Sequence, residues 1–435
     1  MTLSIVLAGL AALGWSGDGQ TAPAPAAAPA AGTLLVGNKG ENTISFIDLA
    51  AGRELGRAPT GPMPHEIAIS PDGTQAAVVA YGGRTIDIFD VATRAKVRTI
   101  DLSPNEGPHG IAWLGDGRIL VTTERSRSLT IVDTRRGDSV SAIATDQGGT
   151  HMVAVSPDAR HAFTANMESG SIGVIDLAAG RLIRNFSVGG TPEGMALTPN
   201  GRTLWVADRD GDRVQAFEVA ALTAVDESRY TPMARIDFTL AEGSRDEVES
   251  AILRPLLRQL ARPGLARTLH GAEAGRGWIV AMYERGADLA DIRARLGQAV
   301  QEAGAGFPAG RTEVELRFAS SAPAAEVVTG DVPIRVAASP DGRWIVTSNF
   351  GGGSLTLVDA RARRAARQIE VSGERSAEQV TILFSADGRR IYAAETGRDR
   401  IAEVDLESGR VLRRLESGRQ GDGLAVAPAV APQER

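Results

Sequence analysis

The sequence predicts an all-β protein, a seven-bladed β-propeller, with an α+β domain inserted into it. A phrase resembling SPDG recurs with a period near 42 residues, which is the length of a four-stranded propeller blade. Two short runs rich in β-branched residues follow most copies, with Gly, Asn or Asp at the corners. One interval, from Pro199 to Pro340, is more than three times as long as the others and has room for a second small domain.

The N-terminal segment predicts export. Residues 1–17 contain an apolar run of signal-peptide length, although no Lys or Arg precedes it, and residues 18–32 form an Ala/Pro-rich linker. We therefore expect a periplasmic or secreted protein, with a retained N-terminal anchor as the alternative. No other stretch is long and apolar enough to predict a membrane span.

Composition excludes several classes of function. The chain has no cysteine, which excludes disulfides, thiolate metal sites and cysteine nucleophiles. The net charge is −6 and no block of Lys and Arg is present, so nothing predicts nucleic acid as a partner.

The propeller is expected in two parts, residues 33–225 and 323–430. The last repeat unit, at 422–428, has no strands after it, and the first unit, at 33–60, has no first strand before it. We expect the C-terminal strand to complete the N-terminal blade, because this closure gives seven blades and removes both free sheet edges.

Four segments carry a resemblance to a known repeat family. NTISFIDL, PHEIAISPDG, PHGIAW and FTANMESGSIGVIDL resemble the YVTN-type β-propeller repeats of exported bacterial proteins. The resemblance implies the propeller fold over both predicted propeller segments. Such proteins include surface proteins, ligand binders and lactonase-like enzymes, so the resemblance does not imply a single function.

The predicted insert, residues 226–322, changes to a mixed pattern. Strands are predicted at 234–241, 266–270, 277–284 and 312–318, and amphipathic helices at 246–261 and 288–303. The order βαββαβ is that of the ferredoxin-like fold.

The insert also resembles a porter subdomain of resistance–nodulation–division (RND) efflux transporters. The features are Pro255 in the first predicted helix, the turn at Pro263 and Gly264, and the FP-x-G exit at 307–310. The resemblance implies a module that docks a protein partner, with an envelope or efflux component as a candidate. The chain lacks the transmembrane helices of those transporters, so proton-driven transport is not implied, and a coincidence of fold is the alternative.

A recurring His predicts a site at the mouth of the axial channel. His65, His109 and His151 occupy one repeat position in three successive units, Glu193 occupies it in the next unit, and Asp422 occupies it in the closing strand. The loops between second and third strands are expected on the same face, and they add Asn38, Glu124, Asn166, Asp208, Asn349 and Glu395. Imidazoles and carboxylates suit a divalent transition metal such as Zn or Cu, with His65, His109 and His151 as ligands. The alternatives are a small polar ligand at the channel mouth and rings that simply pack together.

The leading functional prediction is a binding or scaffold protein rather than an enzyme. A small polar ligand or a metal cation would occupy the channel mouth, and a protein partner would dock on the insert. The first alternative is a metal-dependent, lactonase-like hydrolase that uses the His/Glu/Asp ring, and the second is a structural surface protein. No G-x-S-x-G, H-E-x-x-H or phosphate-binding loop motif is present.

Overall fold

The fold is known from a computed structural model, which describes residues 31–224, 231–239, 265–273, 276–284, 288, 291, 294, 298, 313–319 and 323–429. The predicted signal peptide, all but the last two residues of the predicted linker, and the predicted helix 246–261 lie outside the described residues. So does most of the predicted helix 288–303, although residues 291, 294 and 298 are helical.

Seven blades of four antiparallel strands form the main body, so the predicted seven-bladed β-propeller is confirmed. We letter the blades A to G and number the strands along the chain. Blade A contains β1 (Thr33–Asn38), β2 (Thr43–Asp48), β3 (Arg53–Pro59) and, from the end of the chain, β32 (Gly421–Ala427). Blade B contains β4 (Pro64–Ile69), β5 (Gln75–Ala80), β6 (Thr85–Asp90) and β7 (Lys96–Asp101). Blade C contains β8 (Pro108–Trp113), β9 (Arg118–Thr123), β10 (Ser128–Asp133) and β11 (Ser139–Ala144). Blade D contains β12 (Thr150–Val155), β13 (His161–Asn166), β14 (Ser171–Asp176) and β15 (Arg181–Ser187).

The remaining three blades follow the same plan, with the insert in the first of them. Blade E contains β16 (Pro192–Leu197), β17 (Thr203–Asp208), β18 (Arg213–Glu218) and β23 (Ala325–Val328). Blade F contains β24 (Pro333–Ala338), β25 (Trp344–Asn349), β26 (Ser354–Asp359) and β27 (Arg364–Glu370). Blade G contains β28 (Gln379–Phe384), β29 (Arg390–Glu395), β30 (Arg400–Asp405) and β31 (Val411–Glu416). Single 3₁₀ turns occur at Thr134–Arg136, Arg209–Gly211, Arg375–Ala377 and Thr396–Arg398.

The ring closes through the two ends of the described propeller. Strand β32 pairs antiparallel with β1, so it is the innermost strand of blade A. The innermost strands of the seven blades are β32, β4, β8, β12, β16, β24 and β28, and each contacts the next around the ring. The hydrophobic core lies between adjacent blades, for example where Phe163 and Phe186 of blade D pack with Val206 and Phe217 of blade E.

The recurring SPDG phrase forms the turn between the first two strands of a blade. In blade B, Ser70 Oγ donates to Asp72 Oδ1 at 2.5 Å and accepts from the Gln75 N–H at 2.9 Å. An Asp at the end of the third strand caps the following turn in the same way, since Asp48 Oδ1 accepts from the main chain of Ala50 at 2.8 Å. These local bonds explain why the phrase repeats, because each blade needs the same two turns.

The insert contributes four strands between blade E's third and fourth strands. After β18 the chain forms one helical turn, α1 (Val219–Thr223), and blade E resumes at β23. The insert strands are β19 (Thr231–Thr239), β20 (Leu265–Glu273), β21 (Arg276–Tyr283) and β22 (Glu313–Ala319). They form an antiparallel sheet in the order β22-β19-β21-β20, and β22 also pairs in parallel with β15, so this sheet continues blade D. No helix among the described residues is long and apolar enough to cross a membrane.

Candidate functional site

Each of the seven innermost strands carries one extra residue near its start. In blade B, Pro64 pairs with Ala80 and Ile67 pairs with Val78, so two residues of β4 face one residue of β5. The same register shift occurs in the other six blades. Such a β-bulge breaks the alternation of side chains along the strand. Each blade therefore offers two consecutive residues close to the axis instead of one.

The first residue of each pair lines a cavity of about 480 Å³ at the axis, which we call the cup. Around the ring from blade A to blade G, these residues are Asp422, His65, His109, His151, Glu193, Ile334 and Val380. The five ring residues predicted from the repeat are thus brought together. The other lining residues are Lys39, Arg209, Asp210, Val332, Arg335, Phe350 and Arg375.

The second residue of the pair closes the bottom of the cup. Arg335 of blade F donates to Glu66 Oε1 of blade B at 3.0 Å, and these blades are not neighbours, so the ion pair crosses the axis. Arg335 also donates to Glu193 Oε1 at 3.2 Å, and the whole residue is only 5 % exposed. A guanidinium held between two carboxylates is fixed in position, and we call this ion-paired group the floor of the cup.

Where the second residue is glycine, it allows the neighbouring strand to approach. A Cβ on Gly110 would lie 2.8 Å from the Cα of Met152 on the next blade's inner strand. Real Cβ atoms essentially never come that close, so the ring could not keep its spacing with a side chain at this position.

Three imidazoles form one wall of the cup. The ring centroids of His109 and His151 are 3.7 Å apart with 34° between the ring planes, and those of His65 and His109 are 5.0 Å apart. Tyr81, the first residue after β5, extends the stack, with its ring 4.7 Å from that of His65. The opposite side carries Ile334, Val380 and Phe350 instead, so the cup has a polar aromatic wall and an apolar wall.

Hydrogen bonds fix two of the imidazoles and leave ring nitrogens free. His65 Nδ1 lies 2.9 Å from the carbonyl oxygen of Met63, and His151 Nδ1 lies 3.0 Å from Glu124 Oε2. The buried atoms His109 Nδ1 and His151 Nε2 have no hydrogen-bond partner among the described residues. Buried polar atoms are normally paired, so these two unpaired nitrogens set this wall apart from an ordinary packed core.

Burial sets the charge of the cup. It lowers the pKa of His109 well below the ordinary value, and the charges of His151, His65, Arg335 and Lys39 lower it further. Burial also lowers the pKa of His65, against the opposing effect of Asp422. Burial alone would raise the pKa of Asp422, but the charges of Lys39, His65 and Arg335 outweigh it and hold that pKa below its ordinary value. At neutral pH the cup therefore has neutral His65 and His109 beside an ionised Asp422.

The side chains are not arranged as a metal site in the described part of the chain. No group of three or more His, Asp or Glu side chains there is placed to hold a metal ion. Between imidazoles and carboxylates of the ring, His65 Nε2 lies 3.9 Å from Asp422 Oδ2 and His151 Nε2 lies 4.0 Å from Glu193 Oε1. The metal predicted at His65, His109 and His151 therefore stays a prediction, without a convergent set of ligands to support it.

None of the six loop residues predicted for the site is among the described residues that line the cup. Five of them are the last residues of the second strands, and they bond inside their own blades: Asn38, Asn166, Asp208, Asn349 and Glu395. For example, the Asn38 amide donates to Ser45 Oγ at 2.8 Å, and Glu395 accepts from Arg400 and Arg414 at 2.8 Å. Glu124 differs because it follows its strand instead of ending it, and it bonds to His151.

At three of these five strand ends, the residue that follows is the one that reaches the cup. Lys39, Arg209 and Phe350 immediately follow β1, β17 and β25, and all three line the cavity. The strand-end side chain turns into the blade to meet the hydroxyls of the third strand, so the next residue faces the axis. The sequence analysis did not predict these three residues or Arg335. Each of the four lies one position after a repeat position that was predicted, so comparing the next residue in each repeat would have identified them.

A family comparison agrees with the propeller fold, and curated proteins match parts of the chain. The family described as "Lactonase, 7-bladed beta-propeller" matches residues 33–232. The uncharacterized protein YncE of Salmonella typhi is 27 % identical over 90 residues, which is 21 % of this chain and 25 % of that protein. A purine nucleoside phosphorylase of Mycobacterium tuberculosis is 32 % identical over 144 residues, which is 32 % of this chain and 55 % of that protein. The chain thus spans about half or less of the curated relatives it matches.

Solved structures with this architecture match nearly the whole chain. The hydrazine synthase of Kuenenia stuttgartiensis matches with a TM-score of 0.54 and 16 % identity, over 90 % of this chain and 99 % of that chain. A functionally unknown protein from Desulfotomaculum acetoxidans matches with a TM-score of 0.58 and 11 % identity, over 92 % of this chain and 100 % of that chain. At such low identity these likenesses concern the fold alone.

Proposed function

We propose that the protein is a ligand-binding β-propeller whose cup takes a small polar molecule. One observation carries this proposal: His109 and His151, each with a buried ring nitrogen that has no hydrogen-bond partner among the described residues, line a cavity of about 480 Å³. A cavity of this volume suits a small-molecule ligand, and a few placed polar groups in a partly apolar cavity are what such sites use.

A ligand screen tests the proposal. Small polar metabolites would be screened by ligand-observed NMR against the wild type and the double variant His109→Leu, His151→Leu. We expect ligands that bind the wild type and lose binding in the variant. His161→Leu is the control, because His161 lies on β13 outside the cup. Ligands that bind the double variant equally well would show that the two imidazoles do not form the site, and no binding by any screened metabolite would favour a structural surface protein instead.

A second candidate function is hydrolysis of a lactone, supported by the pair His151 and Glu124. With Nδ1 held by the Glu124 carboxylate at 3.0 Å, Nε2 is left as the acceptor, which is the arrangement of a general base. His151 Nε2 would take a proton from water, the water oxygen would attack the lactone carbonyl, and the ring C–O bond would break. The same proton would then pass to the leaving alkoxide, giving the hydroxy acid. The match to the lactonase family also supports this candidate.

Proton release on lactone hydrolysis gives a direct assay. A pH-stat would follow a panel of lactones with the wild type, His151→Asn and Glu124→Gln. We expect loss of turnover in His151→Asn and a decrease of about 10²-fold or more in Glu124→Gln, because the base would lose its orientation. Turnover by His151→Asn at the wild-type rate would rule out this base. Metal analysis of protein purified without chelators, and assays with added Zn or Cu, test the metal-dependent form of the reaction.

We propose that the insert has the ferredoxin-like fold and docks a protein partner. The strand order β22-β19-β21-β20, all antiparallel, supports that fold, and so do the two predicted helices in the connections. An envelope or efflux component is the partner suggested by the RND porter resemblance. Replacing residues 226–322 by a short linker should leave the propeller folded and remove cross-links to an envelope protein; retained cross-links would contradict the docking role.

We also propose export to the periplasm or secretion, with residues 1–17 as the signal peptide. The apolar N-terminal run and the Ala/Pro-rich segment support this. N-terminal sequencing of the protein from periplasmic and cytoplasmic fractions tests it, and a cytoplasmic protein that keeps Met1 would contradict it.

A further inference from the structure

We propose that the cup binds a monocarboxylate with a flat apolar body, and that Lys39 pairs with its carboxylate. The inference rests on the proposed ligand-binding function and names the class of ligand. Three features support it: the charges that line the cup, the position of Lys39, and the difference between the two walls.

The charges of the lining favour an anion. Four cationic side chains line the cup, Lys39, Arg209, Arg335 and Arg375, against three acidic ones. Each acidic side chain already faces a cation: Asp422 faces Lys39 at 2.8 Å, Glu193 faces Arg335 at 3.2 Å, and Asp210 faces Arg209 at 3.3 Å. The fourth cation, Arg375, pairs with Asp331, and the distance from its Nη1 to Asp331 Oδ2 is 3.8 Å. With Glu66, which bonds to Arg335 at the floor, the described residues of the cup have four cations and four carboxylates, and each carboxylate is paired. A cation would therefore find no unpaired carboxylate among them, whereas ammonium and guanidinium groups keep further N–H donors for an anion.

Lys39 is the cation best placed to meet an anion inside the cup. Its main-chain N–H bonds to the Gln420 carbonyl, which fixes the start of the loop after β1 at the cup. Its ammonium bonds to Asp422 Oδ2 at 2.8 Å, and the side chain is 24 % exposed. An ammonium has three N–H donors, so Lys39 can donate to a ligand carboxylate while it keeps its bond to Asp422.

The two walls suit a flat apolar body. The ring centroids of His109 and His151 are 3.7 Å apart, so this wall consists of stacked planar rings. Ile334, Val380 and Phe350 lie on the other side. A planar ring between these walls would bury apolar area on one side and stack on the other, while its carboxylate reached the cations.

The chain offers a matched internal control for testing Lys39. It contains only two lysines, Lys39 and Lys96. Lys96 also pairs with a buried carboxylate, Asp87, at 3.0 Å, and its side chain is 32 % exposed, but it lies on β7 away from the cup. The acetylation rates of both lysines in the intact wild-type protein can be followed by mass spectrometry, with benzoate, 2-naphthoate or benzamide present.

Protection of Lys39 is the expected result. Benzoate or naphthoate at saturating concentration should slow acetylation of Lys39 at least about fivefold and leave Lys96 unchanged, while the neutral benzamide protects less. If neither carboxylate protects Lys39, or if benzamide protects it equally, the inference is overturned.

The binding affinities of two variants and one control test the contact with the carboxylate and the contact with the apolar body separately. In NMR titrations, Lys39→Gln should weaken benzoate binding about tenfold and leave the affinity for benzamide within about twofold of the wild type. The control Lys96→Gln should change neither affinity. Phe350→Ser should weaken benzoate but not acetate. If benzamide binds and benzoate does not, the polar-ligand function stands and this inference fails. If no probe or screened metabolite binds, both fail.

Discussion

Removing the cation from the floor of the cup should destabilise the whole propeller. Arg335 lies between Glu66 and Glu193, with N–O distances of 3.0 and 3.2 Å, and all three residues are buried. Arg335→Met would leave two buried carboxylates without their shared partner. Loss of one partner from a buried ion pair costs about 3–5 kcal/mol in the free energy of unfolding. We expect a loss of this size.

A compensated variant tests whether the cause is the unpaired charge. The triple change Glu66→Gln, Glu193→Gln and Arg335→Met removes all three charges, so it should recover most of the lost stability. Arg209→Met is the control: Arg209 also pairs with Glu193, at 3.4 Å, but it is more than a third exposed, so its removal should cost no more than about 1 kcal/mol.

Urea denaturation followed by tryptophan fluorescence measures these differences. The variants keep all five tryptophans, and Trp205 among them is fully buried, so their unfolding midpoints can be compared directly. The reasoning would be refuted if Arg335→Met stayed within about 1 kcal/mol of the wild type, or if the triple variant were as unstable as the single one.

Two further predictions concern the wall and the inner strands. Burial lowers the pKa of His65 and His109, so their contribution to stability is complete above the unfolded-state value of 6.5 and is lost as pH falls below it, by up to about 1.4 kcal/mol per pH unit for each residue. His109→Leu should flatten the stability profile between about pH 6.5 and 5; a profile as steep as that of the wild type would contradict this assignment. Gly110→Ala should cost about 1–3 kcal/mol, because its Cβ would meet the next blade's main chain. Gly115→Ala is the control, since a Cβ there meets nothing within 4 Å; equal melting temperatures of the two variants would argue against close approach at the bulge.

The sequence predicted the blades and the first ring of cup residues because both follow from the repeat. A period near 42 residues places His65, His109 and His151 at one position of successive blades, and the ring geometry then brings them together. The floor could not be predicted in the same way. Arg335 follows the ring position, where strict alternation would turn its side chain away from the axis, and the bulge cancels that alternation.

The loop residues show a second limit of repeat reasoning. Asn38 and Asn349 end their strands, and a polar residue there can either face the channel or bond within its blade. The choice depends on hydroxyls across the hairpin, Ser45 and Thr356, which accept from the amides at 2.8 and 3.0 Å. Those bonds turn the Asn side chains inward and leave the next residue, Lys39 or Phe350, to face the cup.

The order of side chains around the ring argues for one ligand that touches both walls. Three imidazoles occupy successive blades and are bordered by Glu193 and Asp422, while Ile334 and Val380 complete the ring. A centrally held ion would need donors that converge from several directions, whereas the two imidazoles with free nitrogens are stacked on each other at 3.7 Å. An asymmetric molecule, polar at one end and apolar along one face, uses every side chain of this ring.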